Sequence, residues 1–163
     1  KMQERTGGIG YYLPVPYFAE NPDEKAMFLT QRSVQDLMAR ARQSDAFLIG
    51  IGSVENEGHL VQRGMISKQE QEQLMSCGAV CDLLGRFLTI EGKLAPNSLG
   101  DCAVGLHFDE VRGRRVIALV GGQSKVDATL AALRTGVITD LVTDETLARA
   151  LSARVGLQLA QSA

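Results

Sequence analysis

The sequence lacks the features that would let a protein of this size bind DNA, hold a metal or cross a membrane by itself. Its 17 Lys and Arg residues are outnumbered by 19 Asp and Glu residues, whereas nucleic-acid binding needs a concentrated excess of basic charge. Three cysteines without a CxxC pair and two histidines do not have the spacing of metal ligands. No apolar run approaches the ~18 residues of a membrane span, and no signal-peptide pattern is present. We therefore expect a cytoplasmic protein with reduced thiols, no metal and no cofactor.

What the sequence does have is a series of short apolar runs, each followed by a glycine-bearing loop or a helical pattern. Strands are predicted at 46–50, at 116–120 and at 137–142. Their alternation with helices is typical of right-handed βαβ crossovers. We predict an α/β fold with a mostly parallel, Rossmann-like sheet and helices on both faces. With 163 residues and no repeat or linker, the chain is expected to form a single domain, 1–163.

Local signals predict several further elements around these strands. Caps and acidic first turns indicate where helices begin, and short apolar runs indicate two more strands. The predicted helix starts are Asn21, Ser33, Ser67 and Thr143–Asp144; the predicted strands are 87–90 and 104–106; and 11–16, with two prolines, is predicted to be an extended, edge-like segment.

Two loops follow predicted parallel strands, where ligands bind in such folds. The first loop contains Gly50, Gly52 and Ser53. The second contains Gly121, Gly122, Ser124 and Lys125. In the second loop we expect Ser124 to cap the next helix, while backbone N–H groups and the Lys125 ammonium favour an anion. Neither a GxxxxGK[ST] nor a GxGxxG pattern is present, and by spacing alone each loop could also be a tight turn.

Two charged residues lie between these loops. Asp82 stands in an apolar stretch, where a carboxylate is a cap, a buried hydrogen-bond acceptor or an acceptor for sugar hydroxyls. Arg86 is either a solvated charge at the start of a strand or a second phosphate contact. His59 and His107 have no acid or nucleophile at triad spacing, so no catalytic residue is predicted. The residues alone therefore predict a domain that binds an anionic small molecule.

Several motifs in order give a more specific expectation. The sequence resembles the sugar-binding (effector) domain of the SorC family of bacterial transcriptional regulators, repressors of sugar operons. The resemblance extends from about Gly8 to Leu151. It rests on YYLPVP (11–16), IGIGS (49–53), GAVCD (78–82) with GRF (85–87), VGGQSK (120–125) and LVTDE (141–145). Cys81 stands where the family usually has glycine, which would add a side chain beside the pocket.

The resemblance implies a fold similar to ribose-5-phosphate isomerase and glucosamine-6-phosphate deaminase, in a domain that binds a phosphorylated sugar without turning it over. It implies that Asp82 and Lys125 face the sugar phosphate and that the Gly50–Gly52 and Gly121–Gly122 loops line the same cleft. It also implies a homo-oligomer, dimer or tetramer, whose N-terminal helix-turn-helix domain contacts operator DNA.

The chain is expected to be a fragment that begins after the helix-turn-helix domain and after the family's first strand and phosphate loop. Two alternatives remain open. One is an isomerase or deaminase in which Asp82 acts as general base and Lys125 as electrostatic stabiliser. The other is an assembly domain with a vestigial pocket.

Overall fold

The computed structural model describes residues 2–55 and 59–156. Two three-stranded sheets form its framework. The first is parallel, with strand order β1-β5-β6, and the second is antiparallel, with order β2-β3-β4. The strands are β1 (Ala46–Gly50), β2 (Gly52–Ser53), β3 (Ala79–Leu83), β4 (Arg86–Thr89), β5 (Arg115–Val120) and β6 (Asp140–Thr143).

Helices connect and flank these strands. They are α1 (Met2–Thr6), α2 (Pro22–Thr30), α3 (Arg32–Arg42), α4 (His59–Gln62), α5 (Lys68–Ser76), α6 (Leu99–Cys102), α7 (Phe108–Val111), α8 (Val126–Arg134) and α9 (Glu145–Val155), and a 3₁₀ turn (Gln123–Lys125) leads into α8. Within the ranges described, no helix is long and apolar enough to span a membrane.

The parallel sheet packs one face against α8 and the antiparallel sheet. Ile49, Val116 and Ala118 of the sheet share one core with Ala131 of α8 and Leu83 of β3. Alternate residues of a strand point to opposite faces, so this core takes every second side chain of β1 and β5. The predicted α/β class, with a parallel sheet flanked by helices, is confirmed.

The antiparallel sheet depends on a tight hairpin between β3 and β4. Leu84 and Gly85 connect the strands, and both have positive φ angles, 54° and 75°, as a two-residue hairpin of type I′ requires. A Cβ on Gly85 would lie 2.6 Å from the Cβ of Ala103. Glycine at this position therefore satisfies both the backbone conformation and the close approach.

Most local predictions are confirmed. Asn21, Ser67 and Asp144 cap α2, α5 and α9 with their side chains. The predicted strand at 104–106 is wrong: the N–H of Val104 instead donates to the carbonyl of Tyr17, at 2.8 Å. The segment 11–16 forms no ladder, in keeping with two prolines that cannot donate.

Candidate functional site

A cleft of about 480 Å³ lies where the two sheets meet. Only Ile51 separates the end of β1 from the start of β2, so the chain passes directly from one sheet into the other at the carboxyl end of β1. This is the edge at which parallel sheets bind ligands. The lining residues are Tyr17, Gly50, Ile51, Gly52, Ser53, His59, Leu60, Met65, Asp82 and Lys125.

Asp82 reaches the cleft because of its register in β3. It pairs with Gly52 across the antiparallel ladder, while its neighbours Cys81 and Leu83 are completely buried in the core. A Cβ on Gly52 would lie 3.0 Å from the Cβ of Asp82. Glycine at position 52 thus leaves the room that the carboxylate occupies.

The carboxylate of Asp82 is held in place and partly desolvated. Its Oδ1 accepts a hydrogen bond from the N–H of Gly85 at 2.9 Å. Burial raises the pKa of Asp82 to about 6, although the Gly85 N–H and the positive charges of Lys125 and Arg86 act in the opposite direction. A carboxylate whose solvation is poor gains most from hydroxyl donors supplied by a ligand.

Lys125 reaches the same cleft from the parallel sheet. It ends the 3₁₀ turn after β5, and its Nζ donates to the carbonyl of Ile51 at 3.3 Å. The side chain is half-buried and directed inward rather than into bulk solvent. The cleft therefore holds one carboxylate and one ammonium group, from residues that are 43 positions apart in the chain.

The Gly121–Gly122 loop has a different environment. The N–H of Gly122 donates to Oδ2 of Asp144 at 2.6 Å, and Oδ1 of Asp144 accepts from the N–H of Leu147 at 2.7 Å. One amide of the loop is thus bound by a carboxylate of the protein itself. The prediction that Ser124 caps the following helix is wrong, because Ser124 is exposed and makes no side-chain cap.

The structure brings five of the predicted site residues together and leaves four apart. Gly50, Gly52, Ser53, Asp82 and Lys125 line the cleft, whereas Gly121, Gly122, Ser124 and Arg86 are not among its lining residues. A role in ligand binding for those four stays a prediction.

Arg86 is buried, with only 9% of its surface exposed, so its interpretation as a solvated charge is wrong. Its Nη1 donates to the carbonyl of Gly85 at 3.4 Å. Burial lowers the pKa of Arg86, against the opposing effects of Asp101, Tyr17, Asp82 and Glu110. The positive charge of the guanidinium acts on the Asp82 carboxylate and lowers its pKa.

Five of the residues that line the cleft were not predicted as site residues: Tyr17, Ile51, His59, Leu60 and Met65. Of these, Ile51 lies within the predicted first loop. Tyr17 follows directly on the YYLPVP segment, so that motif could have indicated it. Burial, and then the charge of Asp82, raise the pKa of the Tyr17 hydroxyl. His59 was considered only as a metal ligand or as a member of a triad. No local signal marks Leu60 or Met65, which belong to the helix and loop after β2.

In the parts of the chain that the structure describes, the side chains form neither a metal site nor a reactive thiol at the cleft. There, no three His, Cys, Asp or Glu residues are grouped so that they could hold a metal ion. Cys81 packs in the core with no exposed surface, and burial raises the pKa of its thiol. Its side chain is not among those that line the cleft, although it lies next to Asp82, which is.

Comparison with known proteins agrees with this description. Residues 1–152 match the family model described as "Putative sugar-binding domain". The chain belongs to this family of sugar-binding domains. The erythritol catabolism regulatory protein EryD of Brucella abortus is 34% identical over 93% of the chain and 48% of its own length. The deoxyribonucleoside regulator of Bacillus subtilis is 29% identical over 86% and 45%.

Solved structures of other sugar-binding domains have the same fold. A domain of a transcriptional repressor from Vibrio fischeri has a TM-score of 0.83 and 26% identity, over 95% of this chain and 62% of that one. The full-length sorbitol operon regulator SorC from Klebsiella pneumoniae has a TM-score of 0.80 and 22% identity, over 91% of this chain and 49% of that one. The sugar-binding domain spans about half the length of the curated relatives it matches. These relatives are named as regulators and not as enzymes, which agrees with the prediction of a binding domain and gives no support to an isomerase or deaminase.

Proposed function

We propose that this sugar-binding domain senses a phosphorylated sugar in the cleft between its two sheets. In this proposal the Asp82 carboxylate accepts hydrogen bonds from sugar hydroxyls, and the Lys125 ammonium binds the phosphate. The observation that carries the proposal is that these two side chains, one from β3 and one from the turn after β5, line one cleft. The names of the relatives, which refer to erythritol catabolism and deoxyribonucleosides, support a ligand from carbohydrate metabolism.

The proposed consequence of ligand binding concerns the full-length regulator to which this domain belongs. A ligand shifts a conformational equilibrium only by binding one state more tightly than the other. We propose that occupancy of the cleft alters a homo-oligomer, a dimer or tetramer, and thereby the operator affinity of an N-terminal DNA-binding domain outside this chain. Such a regulator works in the cytoplasm, where the operator is.

Calorimetry on the full-length regulator tests the proposal with a panel of sugar phosphates and the matching unphosphorylated sugars. At least one sugar phosphate should bind, and Lys125→Ala should weaken it about tenfold or more, because a charge-assisted hydrogen bond is lost. Lys93→Ala is the matched control, since Lys93 is exposed and lies outside the cleft. Heat that is equal for phosphorylated and free sugars, or unaffected by Lys125→Ala, would contradict phosphate binding by this residue.

A gel shift with operator DNA tests whether ligand binding alters operator affinity. The ligand found by calorimetry should change operator binding by the full-length regulator, and the 163-residue chain alone should show negligible binding because it has no excess of basic charge. If the ligand binds but operator affinity does not change, the domain is not a sensor. If no sugar phosphate binds at all, a vestigial pocket in an assembly domain becomes the better description.

A further inference from the structure

The Tyr17 side chain lines the cleft, and the contacts that fix its position leave its hydroxyl unused. The carbonyl of Tyr17 accepts a hydrogen bond from the N–H of Val104 at 2.8 Å. The ring packs edge-on against Phe18, with 4.8 Å between the ring centroids, and Phe18 stacks on Phe87 of β4 at 6.1 Å. The backbone and the ring of Tyr17 are therefore anchored at the side of the antiparallel sheet.

The hydroxyl of Tyr17 lies beside the β3–β4 hairpin, next to the residue that holds Asp82. A Cβ on Gly85 would lie 3.4 Å from the hydroxyl oxygen of Tyr17, and the N–H of the same glycine donates to Oδ1 of Asp82 at 2.9 Å. The charge of Asp82 raises the pKa of Tyr17, second to the effect of burial. The hairpin thus brings a phenol and a carboxylate to neighbouring positions in the cleft.

No group in the part of the chain that the structure describes forms a hydrogen bond with the Tyr17 hydroxyl. Burial raises the pKa of this hydroxyl, and it raises the pKa of Asp82 to about 6. At about pH 7.5 the first group is therefore an O–H donor and the second is mostly an ionised acceptor. A poorly solvated donor beside a poorly solvated acceptor gains most from a ligand group that satisfies both.

One chemical group of a sugar phosphate fits such a pair. A hydroxyl donates one hydrogen bond and accepts another, so it can donate to Asp82 while it accepts from Tyr17. An ammonium group has no lone pair with which to accept from Tyr17, and a hydrogen atom on carbon serves neither side chain. An anionic phosphate oxygen would be repelled by the Asp82 carboxylate. The pair therefore discriminates among the substituents of a sugar carbon.

We propose that Tyr17 is a specificity-determining residue, whose O–H binds one hydroxyl of the sugar phosphate together with the carboxylate of Asp82. This role rests on the proposed function, in which Lys125 binds the phosphate. It adds the feature of the ligand that the cleft recognises, which is a hydroxyl at one defined carbon. An analogue with hydrogen at that carbon leaves both side chains without a partner and is rejected for that reason.

Calorimetry on the full-length regulator at about pH 7.5 tests this role with erythrose 4-phosphate, ribose 5-phosphate, fructose 6-phosphate and glucose 6-phosphate. The sugar phosphate that binds most tightly is then compared with its monodeoxy analogues, each of which lacks one hydroxyl. The wild type should bind one analogue on the order of tenfold or more weakly than the parent compound, because two polar groups of the cleft are left unpaired.

The variant Tyr17→Phe should bind the parent sugar phosphate about fivefold more weakly than the wild type, because one neutral hydrogen bond is lost. It should bind the weak analogue as the wild type does, since the hydroxyl that Tyr17 recognises is already missing. Lys125→Ala should weaken the parent compound and all analogues by a similar factor. Tyr12→Phe is the matched control, because Tyr12 is 76% exposed and lies outside the cleft lining.

Three results would overturn the proposed role. If Lys125→Ala weakens binding and Tyr17→Phe does not, the proposed function stands and Tyr17 takes no part in it. If Tyr17→Phe weakens the parent compound and every analogue equally, Tyr17 acts through packing and recognises no single hydroxyl. If none of the sugar phosphates binds to the wild type, the role of Tyr17 and the proposed function fail together.

Discussion

The two glycine loops at the ends of β1 and β5 look alike in sequence but have different environments in the structure. Each follows a parallel strand, and each has an aspartate opposite it. In the first loop, Gly52 makes room for Asp82, whose carboxylate lines an open cleft. In the second loop, Asp144 binds the N–H of Gly122 and caps α9.

The difference lies in what each aspartate already binds. Both oxygens of Asp144 accept a hydrogen bond from a backbone N–H of the protein, so its negative charge is compensated locally. For Asp82 a bond from Gly85 is found at one oxygen, and its surroundings are poorly solvated. A glycine loop after a parallel strand is therefore not by itself evidence of a binding site, because an aspartate of the protein can occupy its amide, as Asp144 does at Gly122. Lys125 links the two loops, because it extends from the second into the cleft of the first.

The largest expected effect comes from the charge of Asp82. Its pKa is raised from the ordinary value of 3.8 to about 6 in the folded protein, so the folded state binds a proton more tightly than the unfolded chain. The stability that the proton provides is complete below the unfolded pKa and is lost as the pH rises through the folded pKa. The free energy of unfolding should fall by about 2 kcal/mol across this window, after allowance for solvent in the open cleft.

Asp82→Asn should remove this pH dependence and be more stable than the wild type above pH ~6 by a similar amount, about 2 kcal/mol. Urea denaturation at several pH values between the two pKa values measures it. Asp144→Asn removes the same charge from the other loop and is the control. A slope that persists in Asp82→Asn, or that disappears in Asp144→Asn, would assign the titration to a different group.

The second effect is expected at Asp144 and concerns folding rather than binding. Asp144→Ala loses the cap on Leu147 and the bond to Gly122, and should lower the free energy of unfolding by about 1–2 kcal/mol. Asp144→Asn, which keeps an acceptor at the cap, should lose much less. Urea denaturation at neutral pH measures both variants.

Ligand affinity shows whether the two loops differ as described. Because Asp144 is outside the cleft lining, Asp144→Ala should change the affinity for a sugar phosphate much less than Lys125→Ala does. An equal loss in calorimetry would mean that the Gly121–Gly122 loop takes part in binding. That result would remove the contrast between the loops and support the predicted role of Gly121, Gly122 and Ser124.

The parts of this fold that could be predicted from sequence are those set by local signals. The apolar runs of β1 and β5 and the caps at Asn21, Ser67 and Asp144 depend on neighbours a few residues away. Lys125 and the glycines of the first loop were predicted because ligands bind where parallel strands end. Asp82 was predicted for other reasons, as a carboxylate in an apolar stretch and through the family resemblance.

The failures all depend on distant residues. Ser124 does not act as a cap; the loop amide next to it, that of Gly122, is bound by Asp144 from the following βα unit. The burial of Arg86 depends on its tertiary environment, in which Tyr17 and Asp101 are close enough to affect its pKa. Val104 pairs with Tyr17 and not with a strand. No window of sequence contains this information.

The smallest expected effect is a difference in stability between alanine variants of the two glycines of the first loop, Gly50 and Gly52. A Cβ on Gly50 meets no atom within 4 Å, whereas a Cβ on Gly52 lies 3.0 Å from the Cβ of Asp82 and 3.2 Å from its Oδ2. Gly50→Ala should therefore change the free energy of unfolding by less than about 0.5 kcal/mol, and Gly52→Ala should lower it by about 1 kcal/mol because Asp82 must move. Thermal denaturation measures the difference, and calorimetry should show weaker sugar-phosphate binding for Gly52→Ala. If the two variants were equally stable, the close fit between Gly52 and Asp82 would not be what positions the carboxylate, and the Gly85 N–H would be the contact that does.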